Sequence, residues 1–278
     1  MDTYQNFGGP WTVEKLDILS DYLNFYVTAL KNYRFNKIYI DAFAGSGAIT
    51  LGKGEEIIEG SARLALNAKT KFDKYLFIEK KKEYAEQLQK TIDSEFFEYK
   101  NRISICNGDS NEELKKLCTG IDWRYNRAIL FLDPYATEVN WETLKCIAHT
   151  KAIDVWYLFP FSAVNRLMKK NGEIDASWRE VLNRILGDSD WEQEFYKEDP
   201  QTNMFGITNV YKDVSIQTLS QYVCKRLGTI FPAVSKNPRI LYNSKNSPLF
   251  LFCFAVSNDS PKAIGLALKV ANYILKQK

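Results

Sequence analysis

Within its first 160 residues the chain repeats one pattern five times, and this pattern restricts the fold more than any other feature. Each repeat is a short apolar run, closed in the first four by a glycine or an acid and in the fifth by Pro160, then a stretch of helical periodicity. The runs are residues 37–43, 75–79, 103–106, 128–132 and 153–159. Their apolar residues are continuous rather than alternating, so both faces of each strand must be covered. Strands of that kind joined by helices form a parallel sheet with helices on either side.

The connecting segments support this reading. Leu16, Leu19, Tyr22, Leu23, Tyr26 and Leu30 recur at helical spacing after Pro10, which predicts an opening helix over 11–32. Residues 48–60 read as a polar loop, and Ser61 as the cap of a helix through Ala62 and Leu66. Further helices are expected over 80–93, 111–117 and 141–149. After Pro160 the pattern changes, and residues 162–231 read as mostly helical and rich in aromatics. Two runs, 239–242 and 249–256, then flank a turn at 243–248, a spacing that only an antiparallel hairpin satisfies. A helix over 261–276 closes the chain.

The expected organisation is an N-terminal helical segment (1–35), an α/β core (36–160 and 236–278) and a helical insertion (161–235) that reads a substrate or docks a partner. Trp178, Trp191, Phe195, Tyr196 and Phe205 of the insertion lie near Lys169, Lys170, Arg179 and Arg184 in sequence. Such a set forms either a base-stacking platform or, as expected here, the core of the inserted helices.

Composition excludes several classes. The net charge of +3 over 278 residues is small, so a nucleic-acid partner would require clustered rather than abundant positive charge. Cys106, Cys118, Cys146, Cys224 and Cys253 form no C-x-x-C pair and read as buried reduced thiols. His149 is the sole histidine, which excludes a histidine-rich metal site, and no metal-ligand set is assigned. The first nine residues lack a signal-peptide pattern and no apolar run approaches membrane-spanning length, so a cytoplasmic protein without membrane contact is expected.

In open parallel sheets ligands bind beyond the carboxyl ends of the strands. Four strand ends here carry distinctive residues: Asp41 to Gly47, Glu79, Asp109-Ser110 and Asp133-Pro134. Gly45 and Gly47, around Ser46 and after Phe43, allow a sharp bend close to a ligand. Asp41 suits an ammonium, Glu79 the two hydroxyls of a ribose, and Asp109 an adenine amino group. Together these point to S-adenosylmethionine. The rival is a dinucleotide, because Gly45-Ser46-Gly47-Ala48-Ile49-Thr50 nearly matches G-x-G-x-x-G. Asp41 disfavours it by placing negative charge beside a pyrophosphate. The bend also reads simply as a strand-to-helix turn.

Asp133-Pro134-Tyr135-Ala136 is similar to the Asp/Asn-Pro-Pro-aromatic tetrapeptide of amino-group methyltransferases. There a carboxylate and a proline carbonyl accept both N–H bonds of a conjugated amine, localising its lone pair toward the methyl donor. Tyr135 stands in the second proline position and Ala136 in the aromatic one, so the match is incomplete. Asp133-Pro134 also fits an ordinary strand-ending turn.

The chain resembles the three-Cys-motif partner protein family. The likeness rests on Gly9-Pro10-Trp11-Thr12-Val13-Glu14-Lys15-Leu16, on Tyr39 through Gly47, and on Glu59-Gly60-Ser61. It continues through Leu132-Asp133-Pro134-Tyr135, Val139-Asn140-Trp141, and Asp154 to Pro160. Tyr135-Ala136 replaces the phenylalanine-glycine expected of that family. The resemblance implies a Rossmann-like S-adenosylmethionine-dependent methyltransferase fold and a partner protein bearing a three-cysteine motif. The expected activity is methyl transfer to an amino group of a nucleic-acid base. A non-catalytic cofactor-binding subunit and an NAD-dependent oxidoreductase are the alternatives.

Overall fold

A computed structural model describes residues 5–6, 9–51, 56–202 and 208–277. After the short strand β1 (Gln5–Asn6) comes helix α1 (Pro10–Ala29), followed by β2 (Asn36–Asp41), β3 (Ala48–Leu51), β4 (Glu56–Glu59) and α2 (Ser61–Asn67). The next repeats are β5 (Lys74–Glu79), α3 (Lys82–Glu95), β6 (Ile103–Asn107), α4 (Ser110–Gly120), β7 (Asn126–Leu132), α5 (Trp141–His149) and β8 (Ile153–Phe159). Then follow α6 (Phe161–Leu167), α7 (Ala176–Leu186), α8 (Trp191–Phe195), β9 (Tyr196–Thr202), β10 (Thr208–Lys212) and α9 (Ile216–Leu227). The chain closes with β11 (Ala233–Val234), β12 (Arg239–Tyr242), β13 (Pro248–Val256) and α10 (Pro261–Gln277).

The main sheet runs β6-β5-β2-β7-β8-β13, with β11 and β12 both pairing along the far edge of β13. The five strands from β6 to β8 are parallel, and β13 returns antiparallel against β8. This is the Rossmann-like methyltransferase architecture: a mostly parallel sheet ending in an antiparallel hairpin. Chain order reverses between β2 and β7, and the loops after these two strands leave in opposite directions and open a crevice.

Side chains alternate across the sheet and feed two cores. Ile38, Ile40, Leu130, Val155, Tyr157 and Phe159 face α5, α6, α7 and α9. Tyr39, Tyr75, Phe77, Phe131, Trp156, Phe252 and Phe254 face the other way, under α1, α2, α3 and α10. Fully burying one such side chain contributes about 1.5–3 kcal/mol. The second core is rich in aromatics; Trp156 sits 4.8 Å from both Phe252 and Phe254, ring centre to ring centre.

Three expectations need correction. Residues 48–60 are not only loop, because β3 and β4 pair antiparallel there and β1 joins them. The β-branched Ile49, Ile57 and Ile58 suit strands, although Gly52 and Gly54 hid the pattern. Gly60, not Ser61, is the cap of α2, and Ser61 lies in its first turn. The insertion is not wholly helical, since β9 and β10 pair antiparallel as a hairpin. Nor does it keep its core to itself: Trp191, Phe195, Leu219, Tyr222 and Leu227 share one cluster with the sheet residues. Phe205 lies outside the described residues. Among these, no helix is long and apolar enough to cross a membrane.

Candidate functional site

A cleft of about 780 Å³ opens at the carboxyl ends of β2, β5, β6 and β7. Seven of the eleven residues expected from sequence line it: Phe43, Glu79, Asp109, Ser110, Asp133, Pro134 and Tyr135. Asp41, Gly45, Ser46 and Gly47 lie behind that wall.

The glycine bend is held from beneath. Gly45 and Gly47 have φ of +61° and +83°, and a Cβ on Gly47 would stand 2.9 Å from Leu88 Cδ1. Only glycine adopts that conformation in that space without strain. Glu79 fixes the bend from the next strand. One of its carboxylate oxygens accepts from Gly45 N–H at 2.9 Å, the other from Lys81 N–H at 2.7 Å. The carboxylate therefore reaches the bend and the cleft together. The Ser46 hydroxyl donates to the Ala48 carbonyl at 3.2 Å and is nearly buried.

Asp41 is turned inward. Its carboxylate is fully buried and accepts from Phe43 N–H (3.2 Å), Tyr39 Oη (3.3 Å) and the Ser61 hydroxyl. Burial raises its pKa to about 6, although these hydrogen bonds oppose the rise. Asp41 thus shapes the loop and does not touch the cleft. Its carboxylate meets the first turn of α2, the place where a dinucleotide would need room for phosphate.

Asp109 performs two tasks. One oxygen caps α4 by accepting from Asn111 N–H at 3.0 Å, and the other pairs with Lys80 Nζ at 3.1 Å. Partial burial pushes the carboxyl up, but Lys80 and the Asn111 donors outweigh it and hold the pKa below the usual range. The Ser110 hydroxyl donates to the Ala42 carbonyl at 2.6 Å, tying the start of α4 to the end of β2.

The loop after β7 is locked by residues that were not among the expected site residues. Asn111 donates to the Glu138 carbonyl (2.9 Å) and accepts from Asn140 N–H (2.9 Å) and Thr143 Oγ1 (2.8 Å). Arg184 of α7 donates to the Asn140 side chain and to the Thr137 carbonyl. Pro134 is buried, whereas Tyr135 is 73% exposed and presents its ring to solvent.

The largest addition to the expected site residues is Lys15, named in the sequence reading only within the resemblance at residues 9–16. Its ammonium pairs with Asp133 Oδ2 and lies 4.8 Å from the centre of the Trp11 ring, with the side chain almost wholly buried. Trp11 in turn packs on Phe250 of β13, 5.0 Å between ring centres. The start of α1 therefore forms one rim of the cleft. A signal existed: Lys15 falls on the apolar stripe of α1, one turn after Trp11 and one before Leu19.

No protein-family model matches this chain, and no curated protein matches it either. Several solved structures are similar to it in part. A Legionella pneumophila protein of the family DUF519 is 14% identical with a TM-score of 0.44, covering 82% of this chain and 94% of its own. Spermidine synthase from Thermotoga maritima is 10% identical with a TM-score of 0.43, covering 91% and 62%. A candidate S-adenosylmethionine-dependent methyltransferase from Listeria monocytogenes is 9% identical with a TM-score of 0.38, covering 87% and 98%. These are likenesses of fold, and function has to be argued from the residues of the cleft.

Proposed function

We propose that this chain transfers a methyl group from S-adenosylmethionine to an amino group of a nucleic-acid base. The observation that carries the reading is convergence. Glu79, Asp109 and the Asp133-Pro134-Tyr135 segment, from three different strands, line one cleft beside a bend that only glycine can form.

The residues fit the cofactor. Glu79 retains acceptor capacity for a ribose diol beyond the two backbone donors it already holds, and Asp109 offers an acceptor to an adenine amino group. Phe43 and Tyr84 supply aromatic walls. S-adenosylmethionine brings a sulfonium-activated methyl: its S–C bond breaks as the C–N bond forms, and sulfur keeps the electron pair. Asp133 and the Pro134 carbonyl would accept the N–H bonds of the incoming amine, orient its lone pair, and receive or relay the proton it loses. Lys15 engages only Oδ2 of Asp133, leaving Oδ1 as the acceptor. The exposed Tyr135 ring offers a stacking surface to a base that has left its helix. Asp41, buried behind the glycine bend and hydrogen-bonded to Ser61 in the first turn of α2, argues against a dinucleotide, because a carboxylate beneath the bend opposes the positive potential that phosphate would require.

One observation favours a second reading. The Lys15–Asp133 pair engages the carboxylate that an amine would need. In that reading the chain binds S-adenosylmethionine and works only with a partner, such as a protein carrying a three-cysteine motif.

A thermal-shift comparison of S-adenosylmethionine, S-adenosylhomocysteine and NAD tests the cofactor. Ligand at about one hundred times its Kd adds roughly 2.7 kcal/mol to the folded state, a clear rise in Tm. A response to NAD alone would overturn the assignment. Tritiated-methyl transfer into nucleic acid from cells lacking the gene then tests the chemistry. Asp133→Ala should reduce labelling by about a hundredfold or more. Equal labelling by the variant removes Asp133 from the reaction. Cofactor binding with labelling that appears only once the partner is added supports the second reading.

A further inference from the structure

A second cavity, of about 510 Å³, lies at the opposite end of the sheet, where β2, β7 and β8 begin. Its volume is in the range of small-molecule sites, roughly 300–1,000 Å³. The C-terminal half of α1 contributes Tyr22, Phe25 and Tyr26, the start of β7 contributes Arg127, and the start of β8 contributes Asp154. The first turn of α10 adds Lys262 at the rim.

Asp154 is the anomaly. It is 9% exposed in a strand that is otherwise apolar from Ile153 to Phe159, and it lines the cavity. Its one hydrogen bond among the described residues is a long one, 3.4 Å from Tyr22 Oη. Arg127 lines the same cavity but forms no ion pair with it. Arg127 Nη1 donates instead to the Trp123 and Asn126 carbonyls, both at 2.7 Å, and its guanidinium lies 4.0 Å over the Phe35 ring. A buried carboxylate without a counter-ion costs several kcal/mol. Here opposite charges are held apart across an aromatic-walled space, each facing a volume that the chain itself does not fill.

We infer that this cavity is a second ligand site, built for a small aromatic zwitterion with the chemistry of an aromatic amino acid. The ligand's ammonium meets Asp154, its carboxylate lies toward Arg127 and Lys262, and its ring packs among Tyr22, Phe25 and Tyr26. A cation alone would leave Arg127, which has carbonyl and ring partners but no anion among the described residues, facing the cavity without a counter-charge, and an anion alone would leave Asp154 so. The inference is independent of the function proposed for the first cleft.

Burial places the Asp154 pKa at about 7, with the Tyr22 hydrogen bond and Arg127 opposing the rise. Tyr22 and Tyr26 on α1, whose own pKa values burial raises well above the ordinary value, stay neutral beside it. The ammonium binds the ionised carboxylate, so affinity should fall as pH drops through about 7.

Calorimetric titration of the full chain with L-phenylalanine, phenethylamine and 3-phenylpropionate tests the proposal. Phenylalanine should bind with a Kd below about 1 mM. Each trimmed analogue should bind at least tenfold more weakly. Asp154→Asn should erase the preference for phenylalanine over 3-phenylpropionate, and Arg127→Gln the preference over phenethylamine. Ala263→Trp, which fills the cavity without touching either charge, should abolish binding while leaving any thermal shift with S-adenosylhomocysteine in place. Equal binding of all three compounds, no saturable heat with phenylalanine, or unchanged binding by Ala263→Trp would each overturn it.

Discussion

The two ends of the central sheet treat their charges in opposite ways. At the carboxyl ends Glu79 holds two backbone amides, Asp109 holds Lys80, Asp133 holds Lys15, and Glu138 accepts from Tyr135 N–H. At the amino ends Asp154 has only the distant Tyr22 hydroxyl, while Arg127 is turned onto carbonyls and the Phe35 ring. One sheet and one helix serve both regions, and α1 places different residues at each end: Trp11 and Lys15 over one, Tyr22, Phe25 and Tyr26 over the other. A satisfied charge fixes geometry in advance, whereas an unsatisfied one marks where something else completes the structure.

The sharpest way to break this comparison is to unbalance the satisfied end. Lys15→Ala leaves Asp133 without its counter-ion, and we expect a loss of about 3 kcal/mol in urea unfolding. The double variant Lys15→Met with Asp133→Asn should recover most of it. If Lys15→Ala unfolds like wild type, the pair does not hold α1 on the cleft. Glu79→Gln removes the charge that both amides point to, and S-adenosylhomocysteine affinity measured by calorimetry should fall ten- to a hundredfold, about 1.4–2.7 kcal/mol.

The unsatisfied end should respond with the opposite sign. The pKa of Asp154 is raised in the folded state, so its ionisation opposes folding. The penalty is absent below about pH 4, grows as pH rises to about 7, and is constant above that. Asp154→Asn should therefore gain stability relative to wild type between about pH 5 and pH 8, by roughly 2 kcal/mol across that interval. Paired urea titrations at the two pH values read this directly, and parallel curves would remove the burial argument. The smallest effect is expected at Tyr135. Its exposed ring makes Tyr135→Ala neutral in stability to within about 0.5 kcal/mol, while methyl transfer slows about tenfold through lost stacking.

The sequence made the two regions unequally visible. The carboxyl-end cleft was legible because each contribution is local: a glycine bend after one strand, an acid after the next, Asp133-Pro134 after a third, all governed by one rule about where open sheets bind ligands. What it hid was tertiary. Lys15 comes from a helix more than a hundred residues before its partner Asp133, and Asp41 has the right position in sequence but points into the core. The amino-end cavity drew on α1, β7, β8 and α10, whose aromatics read as ordinary core. Only a charged residue inside the run Ile153-Asp154-Val155-Trp156 hinted at it. The hairpin β9–β10 was missed because the Trp and Phe residues just before it fit helical spacing, while its own strands, Tyr196–Thr202 and Thr208–Lys212, carry no regular apolar alternation to mark them.

The bonds that tie Gly45 to Glu79, Phe43 to Asp41 and Ser110 to Ala42 are all made within the protein. These turns accordingly need no visitor to take their shape. An arriving molecule freezes little backbone, so its affinity reports contact chemistry rather than loop ordering. The amides of Phe43 and Gly45 should exchange slowly with solvent even in ligand-free protein. The other rim is held in the same way, by Trp11 on Phe250 and Lys15 on Asp133.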